Sequence, residues 1–368
     1  MNVAILHNRF GANARGGAET WVRQFAGQRR GQGDIVTVIA ADQYGAHCIK
    51  GIHPHPDDGA SVQRLPVGNL VPYESVHRLP SIVRFAWHSI DWFNVVAAVR
   101  LAQWMRRQQI QELITNNLTG CGWLIRLAIR LSKQQIIWTH VLHDIQLLKP
   151  SGLLLWGQEE SWWYVGLPGR VYRSLTRVLV TPDKIIAPSH WVVSQHQRFG
   201  FFLNTDTHVS TAPNKSIRID PPVHNPIRIL FVGQLEPHKG IAVLFKVLAT
   251  LEFPYRMTMI GAGSLQGAAR NQARLREGWD ILGSQPPDAV QSALIASDVL
   301  VFPSICYENT PMILQEAMGA GITIIASNIG GVPELLLHYP KKILVEPGSA
   351  PALAAALVGF SRRRSATP

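Results

Sequence analysis

Two carboxylates stand out by their spacing: Glu308 and Glu316, with seven residues between them. The apolar run Val299-Leu300-Val301-Phe302 before them reads as a strand leaving at Pro303-Ser304, and Thr310-Pro311 reads as the N-cap and first position of a helix reaching Met318. Glu308 then falls in the loop at the strand's carboxyl end and Glu316 inside the helix. Such loops bind phosphorylated ligands, because unpaired N–H groups and the helix dipole attract anions. Glu308 on sugar hydroxyls and Glu316 on ribose hydroxyls would bracket a nucleotide sugar; the plainer alternative is a loop Glu and a solvated helix Glu. Three more glycine-bearing strand exits suit the same ligand. Gly233-Gln234 leads to Lys239-Gly240, where Lys239 offers a cation to a diphosphate at the next helix start. Gly330 and Gly331 precede a helix opened by Pro333, and Gly11, Gly16, Gly17 and Glu19 follow the first strand. Each alone is also an ordinary βα turn.

The elements that must position these residues are short β-branched runs separated by helix-length segments, the pattern of parallel βαβ units and an α/β fold. Strands are expected at Val3–His7, Ile35–Ala40, Leu113–Thr115, Ile136–His140 and Lys184–Pro188 in the first half. In the second they are expected at Arg228–Val232, Met257–Ile260, Asp280–Leu282, Val299–Phe302, Thr323–Ala326 and Ile343–Val345. Phe199 to Pro226, rich in Thr, Asn, Asp and Pro, reads as a connection. The 368 residues therefore divide near residue 210 into domains 1–210 and 211–368.

Lys+Arg 35 against Asp+Glu 24 gives +11, which draws the molecule to polyanions. Residues 1–210 hold 21 Lys/Arg and 13 Asp/Glu, so +8 of that excess lies in the first domain. Within residues 78–133, Arg78, Arg84, Arg100, Arg106, Arg107, Arg126, Arg130 and Lys133 interleave with Trp87, Trp92, Trp104 and Trp123, a composition suited to an anionic membrane surface or to a solvated basic face beside core tryptophans. No helix-turn-helix, RNP-like or zinc signature appears, which argues against nucleic acid. Cys48, Cys121 and Cys306 are widely spaced, excluding a disulfide scaffold or thiolate zinc site and fitting a reducing compartment. A strand beginning at Val3 leaves no room for a signal peptide and no stretch reads as a membrane span, so a cytoplasmic protein is expected, peripheral to the inner membrane face.

Taken together, the motifs resemble the retaining glycosyltransferase family 4, the large group 1 set with the GT-B fold. The resemblance rests on Gly16-Gly17-Ala18-Glu19, His143-Asp144, Pro213-Asn214, Gly233 with Lys239-Gly240, Asp298, the Glu308-x7-Glu316 pair and Gly330-Gly331-Val332-Pro333-Glu334, in the family's order along nearly the whole chain. It implies two facing Rossmann-like parallel-sheet domains with a ligand cleft between them. It also implies transfer of a sugar from a nucleoside diphosphate to a lipid-linked or polysaccharide acceptor, with retained configuration, no cofactor and no metal. Glu308, Lys239 and His143 would act at the donor sugar and diphosphate. Glu316, Asn309, Thr310, Gly330, Gly331, Gly233 and Gln234 would hold the nucleotide, and Gly16, Gly17 and Glu19 would close from the first domain.

Three departures bear on that expectation. Gln234 stands where the family usually has Arg, removing one of two diphosphate cations, with Arg15 and His238 as candidate substitutes. Lys215 follows Asn214 where Gly is usual. The chain stops at Pro368 soon after a helix over Ala352–Phe360, so the family's closing helix reads as short. Because of Gln234, a non-catalytic nucleotide-sugar-binding protein of the same fold remains the alternative. A dinucleotide-binding oxidoreductase is a further rival on Gly261-Ala262-Gly263 with Asp280, but its spacing is irregular and it leaves the Glu pair unexplained.

Overall fold

The structure, a computed structural model, describes residues 1–8, 10, 17–42, 53–54, 62–69, 71, 73–210 and 224–365. The chain divides into two units. The first comprises Met1–Gly152, Leu167–Ala187 and Val193–Ser210. It holds strands β1 (Asn2–His7), β2 (Ile35–Asp42), β3 (His53–Pro54), β4 (Val62–Pro66), β5 (Glu112–Thr115), β6 (Ile137–Val141), β7 (Lys184–Ala187) and β8 (Asp206–Val209). They form one sheet in the order β3-β4-β2-β1-β5-β6-β7-β8, parallel except for the short β3 edge. Val3, Ala4, Ile5 and Leu6 are wholly buried, as helices on both faces of a parallel sheet require. Val22 and Ala26, one turn apart on the helix Gly17–Gly31, pack on Val3, Ile5, Val36 and Val38.

The second unit comprises Leu153–Gly166, Pro188–Val192 and Thr211–Pro368. Its strands β9 (Ile227–Val232), β10 (Tyr255–Ile260), β11 (Trp279–Gly283), β12 (Val299–Phe302), β13 (Thr323–Ser327) and β14 (Lys342–Val345) are all parallel, in the order β11-β10-β9-β12-β13-β14. Chain order reverses between β9 and β12 here, and between β1 and β5 in the first unit. Ligands of open α/β sheets bind outside the carboxyl ends of strands at such reversals. At the opposite end of β12, buried Asp298 accepts a hydrogen bond from the Arg228 amide at 2.7 Å and pairs with Arg364 at 2.5 Å. That staples the last helix to the amino-terminal edge of the sheet, away from the Glu308 loop.

Several expectations change. The helix after Thr310 runs Met312–Ala320 with Pro311 at the N-cap, so Thr310 caps nothing; the proline enters with extended ψ 123 and the first helical turn starts after it. Asp206–Val209, read as connection, is an edge strand because its backbone pairs with β7 despite its polar composition. Residues 153–166 and 188–192 pack with the second unit instead of the first, since Leu155 bridges Cys306 and the first turn of the helix His190–Arg198 is bonded to Glu334. The last helix extends over Ala350–Ser365, with Arg362, Arg363 and Arg364 in its final turn, where the dipole favours cations. Trp87 and Trp123 are fully buried, Trp104 is 8% exposed and Trp92 is partly buried, so three of the four tryptophans of the basic region are core. Gly11, Arg15, Gly16, Cys48, Pro213, Asn214 and Lys215 lie outside the described residues. No helix among those described is long and apolar enough to cross a membrane.

Candidate active site

From β9 the chain passes Gly233 and Gln234 into a single turn, Pro237–Lys239, closed by Gly240 at φ 73 ahead of the helix Ile241–Leu248. A Cβ on Gly240 would stand 1.9 Å from the Pro303 carbonyl oxygen, so only glycine lets this turn lie against the exit of β12. The Ile305 amide donates to the His238 carbonyl at 3.0 Å and fixes the contact. Lys239 is thereby brought to Glu308, with Nζ 2.5 Å from Oε1. The same oxygen accepts from Ser304 Oγ at 2.9 Å and Cys306 Sγ at 3.2 Å. Among the described residues nothing donates to Oε2.

The charges follow from this packing. Burial pushes the Glu308 carboxyl upward, but the Lys239 charge and the three donors outweigh it and hold it below the usual carboxylate range. Burial likewise lowers Lys239, and the Glu308 charge more than restores it, so the pair is ionised at neutral pH. Cys306 is pushed up to about 12 by burial and by the Glu308 charge, and stays a thiol donor. Burial and the adjacent Lys239 lower His238, which leaves it neutral and unable to replace the cation that Gln234 removes.

Two glycines lock the carboxylate's backbone. A Cβ on Gly330, at φ 62, would lie 2.1 Å from the Glu308 carbonyl oxygen, and one on Gly331 2.1 Å from that of Asn309. The Gly331 amide donates to the Glu308 carbonyl at 2.8 Å and is therefore spent on the loop, not available to a nucleotide. Asn309 Oδ1 accepts from the buried Ser189 hydroxyl, and Ser189 in turn caps the Val192 amide at 3.3 Å. Glu334 accepts from the His190 and Trp191 amides at 2.8 and 3.1 Å, a negative charge at a helix N-terminus. The sequence reading missed Ser189, Ser304 and Cys306, and gave no role to Glu334 within its Gly330–Glu334 motif. A Ser immediately before a helix was the available signal for Ser189.

The remaining expected residues are less integrated. Glu316 is exposed on its helix, has no hydrogen-bond partner among the described residues, and is raised by the protein mass around it. Gln234 is exposed without a partner among the same residues. Gly261 and Gly263 pack against the Gly233 and Leu235 carbonyl oxygens, where a Cβ would come within 1.8 and 2.5 Å. They therefore serve the junction of two strand exits, which removes the basis of the dinucleotide reading. Among the described residues no group of three or more His, Cys, Asp or Glu could hold a metal ion.

His143 belongs to the first unit, after β6. Its Nε2 is 2.7 Å from Asn116 Oδ1, and Trp21 meets its ring edge-on at 5.1 Å. The Asn116 Nδ2 faces the Leu6 carbonyl at 3.5 Å, which assigns Oδ1 as acceptor and Nε2 as the protonated nitrogen. Burial, with the charges of His7 and His140, lowers His143 to about 3, so the ring is neutral at pH 7. Burial raises neighbouring Asp144 to about 6. Gly17 is the first residue of its helix instead of a loop residue, and Glu19 lies in the first turn.

With this geometry in place, residues 214–362 match the family model described as glycosyl transferases group 1. The chain is similar to an uncharacterized 42.6 kDa protein in the cps region of Klebsiella pneumoniae, 24% identical over 94% of this chain and 90% of that protein. It is also similar to the amylovoran biosynthesis glycosyltransferase AmsK of Erwinia amylovora, 29% identical over 42% of this chain and 41% of that one, less than half of either. The Anabaena protein HepE, solved in complex with UDP, superposes with a TM-score of 0.66 at 16% identity, covering 100% of this chain and 91% of that one. The chain thus has the GT-B fold, and its residues 214–362 resemble the group 1 glycosyl transferases.

Proposed function

We propose that the protein transfers a glycosyl residue from a nucleoside-diphosphate sugar to a lipid-linked or polysaccharide acceptor, retaining anomeric configuration and using no metal. The observation that carries this is the division of labour on Glu308: Oε1 holds Lys239, and Oε2 is left to accept a sugar hydroxyl. Lys239 Nζ has Glu308 as its one partner among the described residues, so its other protons can reach phosphate oxygens. Departure of the diphosphate builds negative charge, which a prepositioned cation stabilises without reorganisation. UDP in the Anabaena protein and the amylovoran assignment of the Erwinia protein support a nucleotide donor and a glycan product. In this reading His143 contacts the donor sugar as a neutral imidazole, and Asn309, Thr310 and Gly233 line the nucleotide.

Incubation with UDP-, GDP- and ADP-sugars plus lipid-linked or oligosaccharide acceptors tests it, with the product anomer read by NMR. Nucleotide binding without sugar release or transfer would favour the non-catalytic binder, the reading that the solvent-exposed Gln234 supports. Glu316→Ala is expected to weaken nucleotide binding roughly tenfold, the loss of one charge-assisted hydrogen bond. Unchanged affinity by calorimetry would take Glu316 out of the site.

A membrane-bound acceptor is supported by a different surface from the one the tryptophans suggested. The helix Ser81–Trp92 buries Trp87 and Asp91 and turns Ile82 (80% exposed) and Phe85 (67%) outward, with Phe93, Val95 and Val96 also exposed. Arg78 and Arg84 are exposed beside them, whereas Arg126 is paired with Asp183. An apolar helix face flanked by cations suits insertion at the headgroup level of an anionic bilayer. Replacing Ile82 and Phe85 by Ser is expected to lower binding to phosphatidylglycerol vesicles at least roughly tenfold, since each side chain contributes about 1.5–3 kcal/mol on burial. Equal sedimentation of wild type and variant with vesicles would refute this surface.

A further inference from the structure

One residue before Glu308 stands an aromatic and acidic cluster that the donor chemistry does not use. Leu155 bridges Cys306 in antiparallel fashion, the Trp156 amide donates to the Ile305 carbonyl at 2.9 Å, and the Tyr307 amide donates to the Leu154 carbonyl at 2.9 Å. This backbone pairing lays Trp156 beside Tyr307, with ring centroids 6.2 Å apart and a tilt of 36°. Trp191 stacks on Tyr307 at 5.4 Å and 7°. The Tyr307 hydroxyl donates to Glu159 Oε1 at 2.5 Å, and the Gly157 amide donates to the same oxygen at 2.9 Å. Burial and the Glu159 charge push the Tyr307 hydroxyl upward, so it stays a donor. Burial raises the Glu159 carboxyl, but the Tyr307 hydroxyl and the Glu159 and Gly157 amides outweigh it and hold the group below the usual carboxylate range, so it is ionised at neutral pH.

The cluster is built from main-chain bonds, a ring stack and a charge-assisted hydrogen bond, yet its outermost ring, Trp156, is 46% exposed. Holding a large indole at fixed tilt against water is a poor use of apolar area for stability alone. An open aromatic face beside an ionised carboxylate is complementary to a pyranose, whose C–H face is apolar and whose rim carries hydroxyl donors. We infer that Trp156 and Glu159 form a saccharide subsite of the second unit, taking a pyranose with its C–H face on the Trp156 indole and its hydroxyls on the Glu159 carboxylate. The subsite deepens the proposed glycosyl transfer and rests on it only for the source of the sugar, which is the glycan acceptor.

Saturation-transfer NMR with methyl glucopyranoside, galactopyranoside and mannopyranoside, and separately with UDP, GDP and ADP, tests both readings at once. At least one glycoside should receive saturation at its ring C–H protons without nucleotide. Trp156→Ala should weaken that binding roughly tenfold, and Trp156→Phe should retain it. Glu159→Gln, whose amide oxygen can still accept from Tyr307, should weaken it several-fold. Nucleotide affinity should be unchanged in all three variants, which also shows that they are folded. If a nucleotide binds but no glycoside shows transfer dependent on Trp156, the subsite is wrong and the donor reading stands. Glycosides that bind through Trp156 in a protein that binds no nucleoside diphosphate would keep the subsite and overturn the donor reading. If the nucleotide sugar depends on Trp156 while the free glycosides do not bind, the acceptor assignment is overturned.

Discussion

Lys239→Met is expected to lower turnover by about 10²–10³-fold, the scale for removing one preorganised group at a centre of developing charge. It should also destabilise the fold by about 3–5 kcal/mol, because Glu308 is left as a buried charge without its partner. The pair's side chains are only 19% and 15% exposed, closer to the buried case than to a surface ion pair of about 0–1 kcal/mol. The pH dependence has a definite sign. In the wild type, the Glu308 carboxyl lies below its usual range, so its contribution is present above the ordinary carboxylate pKa and lost as pH falls through the depressed value. With Lys239 gone, burial dominates and raises the carboxyl, so the penalty applies above the raised value and is relieved on acidification. Urea denaturation should therefore show the gap between wild type and variant narrowing as pH drops from 7. Lys239→Met with Glu308→Gln should regain most of the stability and none of the turnover. A folded Lys239→Met protein with turnover within about threefold of wild type would remove the lysine from the reaction.

Gly240→Ala should cost at least about 3 kcal/mol, in the range reserved for a specific structural conflict. A left-handed conformation at a non-glycine residue costs about 1–2 kcal/mol by itself. The added Cβ would also sit 1.9 Å from the Pro303 carbonyl, a backbone atom that can yield only if the turn parts from the β12 exit. Lys239 is the preceding residue, so turnover should fall with stability. Gly267 is the control: it lies in the helix Gln266–Arg274, and a Cβ there meets nothing within 4 Å. Gly267→Ala should raise stability by about 0.5–1 kcal/mol through helix propensity. Equal urea midpoints for the two variants would contradict the packing account of Gly240.

Sequence patterning reached the parallel strands most reliably, because strands buried on both faces are near-continuous apolar runs such as Val3-Ala4-Ile5-Leu6 and Val299-Leu300-Val301-Phe302. It failed at Asp206–Val209, where pairing with β7 and not side-chain character makes the strand. The exposed face of Ser81–Trp92 was illegible for a related reason. Trp and Ile are both apolar, and only packing decides that Trp87 turns in while Ile82 turns out.

Residue types and spacing by themselves determined the two-part α/β organisation, the Glu308-x7-Glu316 pair and the presence of a lysine and glycines at strand exits. These are local properties, since burial periodicity and turn chemistry act over a few residues. The tertiary structure decided what the glycines do. Gly240 and Gly330 let backbones approach Pro303 and Glu308 closely. It decided that Lys239 and Glu308, 69 positions apart, are one ion pair, and that residues 153–166 join the second unit to set Trp156 against Tyr307. Contacts between segments so distant are fixed by sheet order and close packing, which no local pattern encodes.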